Sequence, residues 1–307
     1  MKVIAVILHF GNLQYTLDCY NDLKVQSNNI VDKIIIVNND GNPDLNSIMA
    51  DSKLDILQSE NNDGYAKGNN LALNFIKNNY ACDYVIIVNN DVRMEYLSTI
   101  EGLIAEMKDR RSMAISPMIK GKTGDTALTI NSRFYNRMFD VLIRRNPELK
   151  NYKHDMLSGC FMIIDFGAFM RLNFIDESFF MYGEDDFLSI QLFLSGAGTL
   201  RSNNEQLSII HFGGVQQLAL INNQRKLKLI GRNRIILMKK LKIWDDVTMK
   251  VTFALSFFKG VLDFVKLKNL KGLSSYTMGV LLGLKEQVEN TADYFHQQGK
   301  TIFLGNE

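Results

Sequence analysis

Glu184, Asp185 and Asp186 follow one another directly, between the aromatic run Phe179-Phe180-Met181-Tyr182 and an apolar stretch beginning at Phe187. Three adjacent carboxyls beside apolar surface are costly to ionise, because burial disfavours each charge and each charge opposes the next. Two arrangements offset that cost. In the first turn of a helix, acidic side chains complement the macrodipole and accept from unpaired N–H groups. In an open cleft they act as acid–base groups, with a metal nearby. A second carboxylate, Asp91, closes the sequence VNND from Val88. At a strand end it can reach a hard cation such as Mg²⁺ or Mn²⁺, or simply make an Asx-type turn. In NDGYAKGNN, from Asn62 to Asn70, glycines at 64 and 68 open the backbone to a ligand, while Asn62, Tyr65 and Asn69 supply donors and acceptors. A loop and helix cap is the plainer account of that stretch. His211 leaves a strand into Phe212 and two glycines, which suits either metal ligation or a turn.

These residues need a frame to bring them together. VIAVILHF, KIIIVNN from Lys33, LDIL from Leu54 and YVIIVNND from Tyr84 are apolar runs of strand length. Helical spacing separates them, in TLDCYNDLKVQ and NNLALNFIKNN, and YLSTIEGLIAEM follows the last. Fully apolar strands alternating with helices predict a mostly parallel sheet with helices on both faces, which binds ligands at the carboxyl ends of its strands. Those ends read HFGN, VNND and VNND, adding His9, Asn38 and Asn90 to the ligand-binding candidates. GxGxxG is absent after the first strand and GxxxxGK[ST] is absent throughout, which disfavours a nicotinamide enzyme and a P-loop NTPase. GKTGDTALTINSRFYNRMFD, from Gly121, has no clear period and reads as a loop-rich excursion. GCFMIIDF and LSIIHF read as strands and FGAFMRL as a short helix; from Gln217 onward the chain reads as helices.

At 307 residues, 46% hydrophobic and 22% charged, the chain has material for a large buried core and is not wholly disordered. Its net charge of +2 hides an asymmetry, because 13 Lys and Arg stand against 3 Asp between Arg225 and Lys271. Lys and Arg on one face with Leu, Phe and Val on the other suit an anionic membrane surface, or a solvated face on a folded domain. Nucleic acid is disfavoured, since the aromatic residues fall among apolar ones. Cys19, Cys82 and Cys160 have no CxxC spacing, so neither a zinc site nor a disulfide framework is indicated, and a cytoplasmic location is expected. The opening run reads as a strand rather than a leader, and no transmembrane helix is expected.

In order, VNND, NDGYAKGNN, VNND, GCFMIID, DESFFMYGEDDF and HFGG resemble the inverting family 2 glycosyltransferases of GT-A fold, over roughly residues 1–240. The branch is similar to the rhamnosyl- and galactofuranosyl-type transferases of bacterial surface polysaccharide synthesis. The resemblance implies a catalytic domain over 1–216, its nucleotide-sugar half at 1–91 and its acceptor half at 92–216, followed by a basic amphipathic helical region at 217–307. It implies Asp91 as a ligand of Mn²⁺ or Mg²⁺, His211 completing that site, and Asp185 as general base with Glu184 helping to hold the acceptor or the loop. Asn62, Gly64, Tyr65, Gly68 and Asn69 match the donor-pocket loop, with His9, Asn38 and Asn90 on the donor side. Phe180, Tyr182 and Asp186 become acceptor-side candidates, the two rings as stacking surfaces for a sugar. Three positions depart from the family pattern. Asn38 stands where many relatives have a base-reading Asp, Asn89 replaces the first Asp of the DxD-type motif, and Asp186-Phe187 occupy the last two places of EDxD. The last change turns a carboxylate by about 100° on a helix. The implied partners are a UDP- or dTDP-type sugar and a glycan or lipid-linked acceptor, with peripheral contact at the inner face of the plasma membrane through 225–271. Homo-oligomerisation through the C-terminal helices stays open. So do a non-catalytic scaffold of the same fold and a nucleotidyltransferase.

Overall fold

The computed structural model describes residues 1–47, 52–59, 62–122, 132–213 and 223–288. The first part of the chain runs β1 (Val3–His9), α1 (Leu13–Lys24), β2 (Lys33–Asn38), β3 (Leu54–Gln58), α2 (Gly64–Asn79) and β4 (Tyr84–Asn89). Then come β5 (Val92–Met94), α3 (Thr99–Asp109), β6 (Ser112–Ser116), β7 (Ile119–Lys120), α4 (Ser132–Arg145) and β8 (Phe161–Asp165). The remainder is α5 (Phe166–Arg171), α6 (Glu184–Leu194), β9 (Gly198–Arg201), β10 (Ile209–His211), α7 (Gln224–Lys240), α8 (Val247–Lys266) and α9 (Leu270–Lys285).

Seven strands form the main sheet in the order β3-β2-β1-β4-β8-β6-β9. The first four pair in parallel, as apolar strands covered on both faces do. Register sets His9 beside Asn38 and Leu8 beside Asn89, so the polar strand ends lie side by side. β8 runs antiparallel to both β4 and β6, and β9 closes the sheet parallel to β6. α2 rides close over the end of β1: a Cβ on Gly68 would stand 2.6 Å from Leu8 Cδ1. A small second sheet places β10 between β5, its antiparallel partner, and β7, its parallel one. Because β5 begins one residue after Asp91 and His211 lies opposite Val92, this sheet delivers the histidine to the end of β4.

One expectation fails in the middle of the chain. The excursion read from Gly121 to Asp140 ends in α4, which buries Phe134, Tyr135, Met138, Phe139, Val141 and Leu142. Those positions recur at helical spacing, but the polar lead-in GKTGDT hides their period from a reading that spans both. Residues 123–131 of that stretch lie outside the described residues.

Chain contacts separate two compact units. One comprises Met1–Ala127, Lys153–Phe193 and Ala197–Val215 and contains both sheets; the other comprises Leu128–Tyr152, Leu194–Gly196 and Gln216–Glu307 and contains α4, α7, α8 and α9. In the helical unit, α7 and α9 approach backbone to backbone. A Cβ on Gly279 would lie 2.0 Å from the Lys228 carbonyl oxygen, and one on Gly231 would lie 2.5 Å from that of Tyr276. Arg232 adds a two-pronged ion pair to Glu286, its Nε donating at 2.7 Å.

Candidate functional site

At the end of β4, Asp91 Oδ1 lies 3.2 Å from His211 Nε2, and the Asp91 carbonyl accepts the Phe212 N–H at 3.0 Å. Both side chains keep some access to solvent, 21% for Asp91 and 15% for His211. Burial pushes the Asp91 carboxyl toward its neutral form, but the bond and charge of His211 outweigh it and leave the carboxyl below its usual range. Burial likewise opposes charge on His211, yet Cys160 and Asp91 together push it up to about 10. A Cβ on Gly213 would stand 2.3 Å from Asp91 Oδ2, so a side chain there would push the carboxylate aside. Tyr15 stacks on Phe212 with centroids 5.7 Å apart, and Lys122 Nζ lies 5.8 Å from the Phe212 ring centre.

The acidic run opens α6, as the sequence allowed. Tyr182 and Gly183 both have positive φ, 70° and 99°, and this turn swings the chain into the helix. Asp185 is fixed at both oxygens: Oδ2 accepts the Gly159 N–H at 2.9 Å and Oδ1 accepts the Asp186 N–H at 3.0 Å. Burial raises its proton affinity, partly offset by those N–H donors and by the charge of Arg201. Glu184 is buried, and its Oε2 has no hydrogen-bond partner. Burial first, and Asp185 second, push its carboxyl well above the ordinary range.

The glycine–amide loop meets the acidic turn directly. Tyr65 N–H donates to the Phe180 carbonyl at 2.9 Å, and Tyr65 OH donates to the Gly159 carbonyl at 2.5 Å. Gly64, with φ of 79°, lies under Phe180 so closely that a Cβ would come within 2.3 Å of that carbonyl oxygen. Asn62 Oδ1 accepts from Gly64 N–H and from Asn39, at 3.1 and 3.3 Å. Asn69 is buried within α2 and donates to the Tyr65 carbonyl at 2.9 Å. Asn70, which the sequence reading left without a role, clamps the Ile175 N–H and carbonyl at 3.1 and 2.8 Å. Phe180 and Tyr182 are half-buried on this turn.

The strand-end candidates sit deeper. His9 is fully buried, with Nδ1 2.6 Å from Thr16 Oγ1, and Asn90 donates to the same hydroxyl at 3.0 Å. Asn38 is buried and donates to Gln58 Oε1 at 2.7 Å and to the Asn42 carbonyl at 2.8 Å.

Three further residues join the two clusters. Gly159 touches Asp185 and Tyr65, while its neighbour Cys160 lies close enough to favour the charged form of His211 and accepts the Asn89 N–H on its carbonyl at 2.9 Å. Arg201 ends β9 within electrostatic range of Asp185, and its Nε is buried without a hydrogen-bond partner. The quoted GCFMIID contained the first two, but nothing in their types marked what they contact. Arg201 carried no local signal. Among the described residues, no group of three His, Cys, Asp or Glu could hold a metal ion alone.

Residues 4–172 match the sequence profile of glycosyl transferase family 2, more than half of the chain. The chain is a family 2 glycosyltransferase. Over 150 residues the transferase is 25% identical to the rhamnosyltransferase WbbL of Escherichia coli K12, an overlap of 43% of this chain and 55% of that protein. The aligned part thus spans only about half the length of that curated relative. Two solved structures share the architecture. The mannosyltransferase PcManGT from Pyrobaculum calidifontis, in complex with GDP-Man and Mn²⁺, gives a TM-score of 0.56 at 13% identity, covering 93% of this chain and 88% of that one. S. aureus TarS, residues 1–349, gives 0.53 at 13% identity, covering 94% and 92%. Likeness at that identity concerns the fold, and the transferase has the GT-A fold, a mostly parallel sheet with helices on its faces and further helices after it. The family match includes Asp91 and the glycine–amide loop and stops before α6 and His211.

Proposed function

We propose that the transferase moves a sugar from a UDP- or dTDP-type donor to a hydroxyl of a glycan or lipid-linked acceptor, inverting the anomeric carbon. The sugar class proposed is rhamnose, galactofuranose or similar, in bacterial surface polysaccharide assembly; the rhamnosyltransferase among its relatives supports that class. The observation that carries the reading is Asp185, a partly buried carboxylate held at both oxygens by N–H donors. A hydroxyl is a poor nucleophile near neutral pH, so it needs a positioned base of raised proton affinity. Asp185 takes the hydroxyl proton as the acceptor oxygen bonds to the anomeric carbon. The bond from that carbon to the diphosphate oxygen breaks, and its electron pair leaves with the nucleoside diphosphate. Attack from the face opposite the leaving group inverts the centre. Tyr65 and Gly159 hold the base in place, and Phe180 and Tyr182 flank the acceptor side.

Asp91 and His211 fit a divalent cation. The two side chains meet at 3.2 Å as an ion pair, so His211 would have to release its proton to hold the ion beside Asp91. Two protein ligands would be few for an ion held by the chain alone, which suits an ion that binds together with the donor diphosphate. When bound, Mn²⁺ or Mg²⁺ would supply positive charge to the departing diphosphate. PcManGT, solved with GDP-Man and Mn²⁺, supports this assignment by analogy of fold.

Thermal unfolding with UDP, dTDP, GDP and CMP, each with Mn²⁺ and with chelator, tests the reading. A nucleotide at a hundred times its Kd stabilises by about 2.7 kcal/mol, a rise of several degrees in the midpoint. UDP or dTDP should give that rise with Mn²⁺ and lose it with chelator. No rise with any of the four would overturn the proposal.

A further inference from the structure

α8 carries two apolar faces. Phe253 and Phe257 stack on each other with centroids 6.3 Å apart, and this face meets Trp244 on one side and Tyr276 of α9 on the other, at 5.9 Å each. That contact fixes the helix within its unit. The opposite face is bare: Val247, Val251, Leu255, Phe258, Leu262 and Val265 are between 52% and 75% exposed. At 3.6 residues per turn these six fall within an arc of about 80°. Lys250 stands beyond one border of the arc, and Lys259 and Lys266 beyond the other. Asp263 is the single acidic residue on the helix. Contiguous apolar surface with a polar rim marks an interaction site rather than scattered exposure.

The sequence leaves the whole basic segment 225–271 open to membrane contact or to a solvated role. The structure divides that segment: α7, where seven of those basic residues stand, turns Leu227, Ile235, Ile236, Leu237 and Met238 inward. Of the large apolar residues that 225–271 leaves exposed, all but Leu267 and Leu270 stand on α8. We propose that the α8 stripe is a docking face for an anionic lipid surface, on which the helix lies in the plane of the interface. The choice of occupant follows from charge. Lysines on both borders can extend their stems along the acyl boundary and place their ammonium groups among anionic headgroups. Lys250 already pairs with Asp245 at 3.1 Å, so the other border decides: a second copy seated on the same stripe would bring Lys259 and Lys266 against like charge, with Asp263 the one carboxylate on the helix itself. A spanning arrangement does not apply, since no described helix is long and apolar enough to cross a membrane.

Co-sedimentation of the full chain with phosphatidylcholine vesicles, with and without phosphatidylglycerol, tests the assignment. Binding to the anionic vesicles is expected. Leu255→Gln with Phe258→Gln should weaken it about a hundredfold, by removing two large apolar insertions. Lys259→Gln with Lys266→Gln should weaken it about 25-fold on anionic vesicles and little on neutral ones. These side chains are exposed, so far-UV circular dichroism and the thermal midpoint should stay at parental values in both variants. A chain that stays in solution, or variants that bind like the parent, would overturn the proposal. So would a parental dimer in sedimentation velocity that the Leu255/Phe258 variant dissolves, which gives the stripe to a second copy.

Discussion

Glu184 and Asp185 are chain neighbours in different surroundings. Asp185 has N–H donors on both oxygens, whereas Glu184 has a buried oxygen without any. With the Glu184 carboxyl pushed well above 4.5 in the folded chain, the folded state holds a proton that the unfolded state releases. Stability from this group is therefore complete below the ordinary Glu range and declines as pH rises above it. Glu184→Gln removes the ionisation and keeps the shape. Its thermal midpoint should exceed the parent's by a margin that grows from about pH 5 to about pH 8; a margin independent of pH would refute the account. Asp185→Asn should lower nucleoside diphosphate release during transfer by about 10²–10⁴-fold with little change in midpoint, and a loss under tenfold would remove Asp185 from the role of base. Both carboxylates were legible because acidic residues at element ends stand out in a sequence. Gly159 was not, since its importance lies in a contact with a residue 26 positions later.

Elements were legible in proportion to their length and regularity. β1, β2 and β4 are long and apolar, each with an α-helix next to it in the chain, so they were read almost to the residue. β5 and β9, of 3 and 4 residues, are too short to carry a period, and β5 nonetheless places His211 beside Asp91. α4 was lost to its polar lead-in rather than to any lack of helical spacing. Glycines in helices were ambiguous for a related reason, because a sequence does not say whether a glycine is loose or pressed against a neighbour. Gly279 is pressed, with backbone 2.0 Å from where its Cβ would be, whereas Gly260 of α8 would meet nothing within 4 Å. Gly279→Ala should part α7 from α9 and cost about 1–3 kcal/mol. Gly260→Ala should stabilise by about 0.4–1 kcal/mol through the unfolded chain. Urea unfolding of the pair checks both signs at once, and equal effects would refute the distinction.

For the molecule as a whole, the fold class followed from alternating apolar strands and helices, while the strand order on the far side of β4 did not. Local pattern carries no record of which distant strand comes to lie beside β4, and the partner proves to be β8, inserted in reverse. That insertion has a consequence for synthesis. The parallel half of the sheet is complete at Asn89, but the strand that covers its inner edge begins only at Phe161. At about 5–20 residues per second, the edge formed by Val85 to Val88 waits roughly 4–14 s on the ribosome without its partner. An apolar, uncharged strand edge recruits other chains. Truncated chains stopped after α3 should therefore collect in the insoluble fraction, and extension through α5 should return a measurable share to solution. Equal solubility on either side of β8 would show that the nascent edge is shielded by something other than its own sheet.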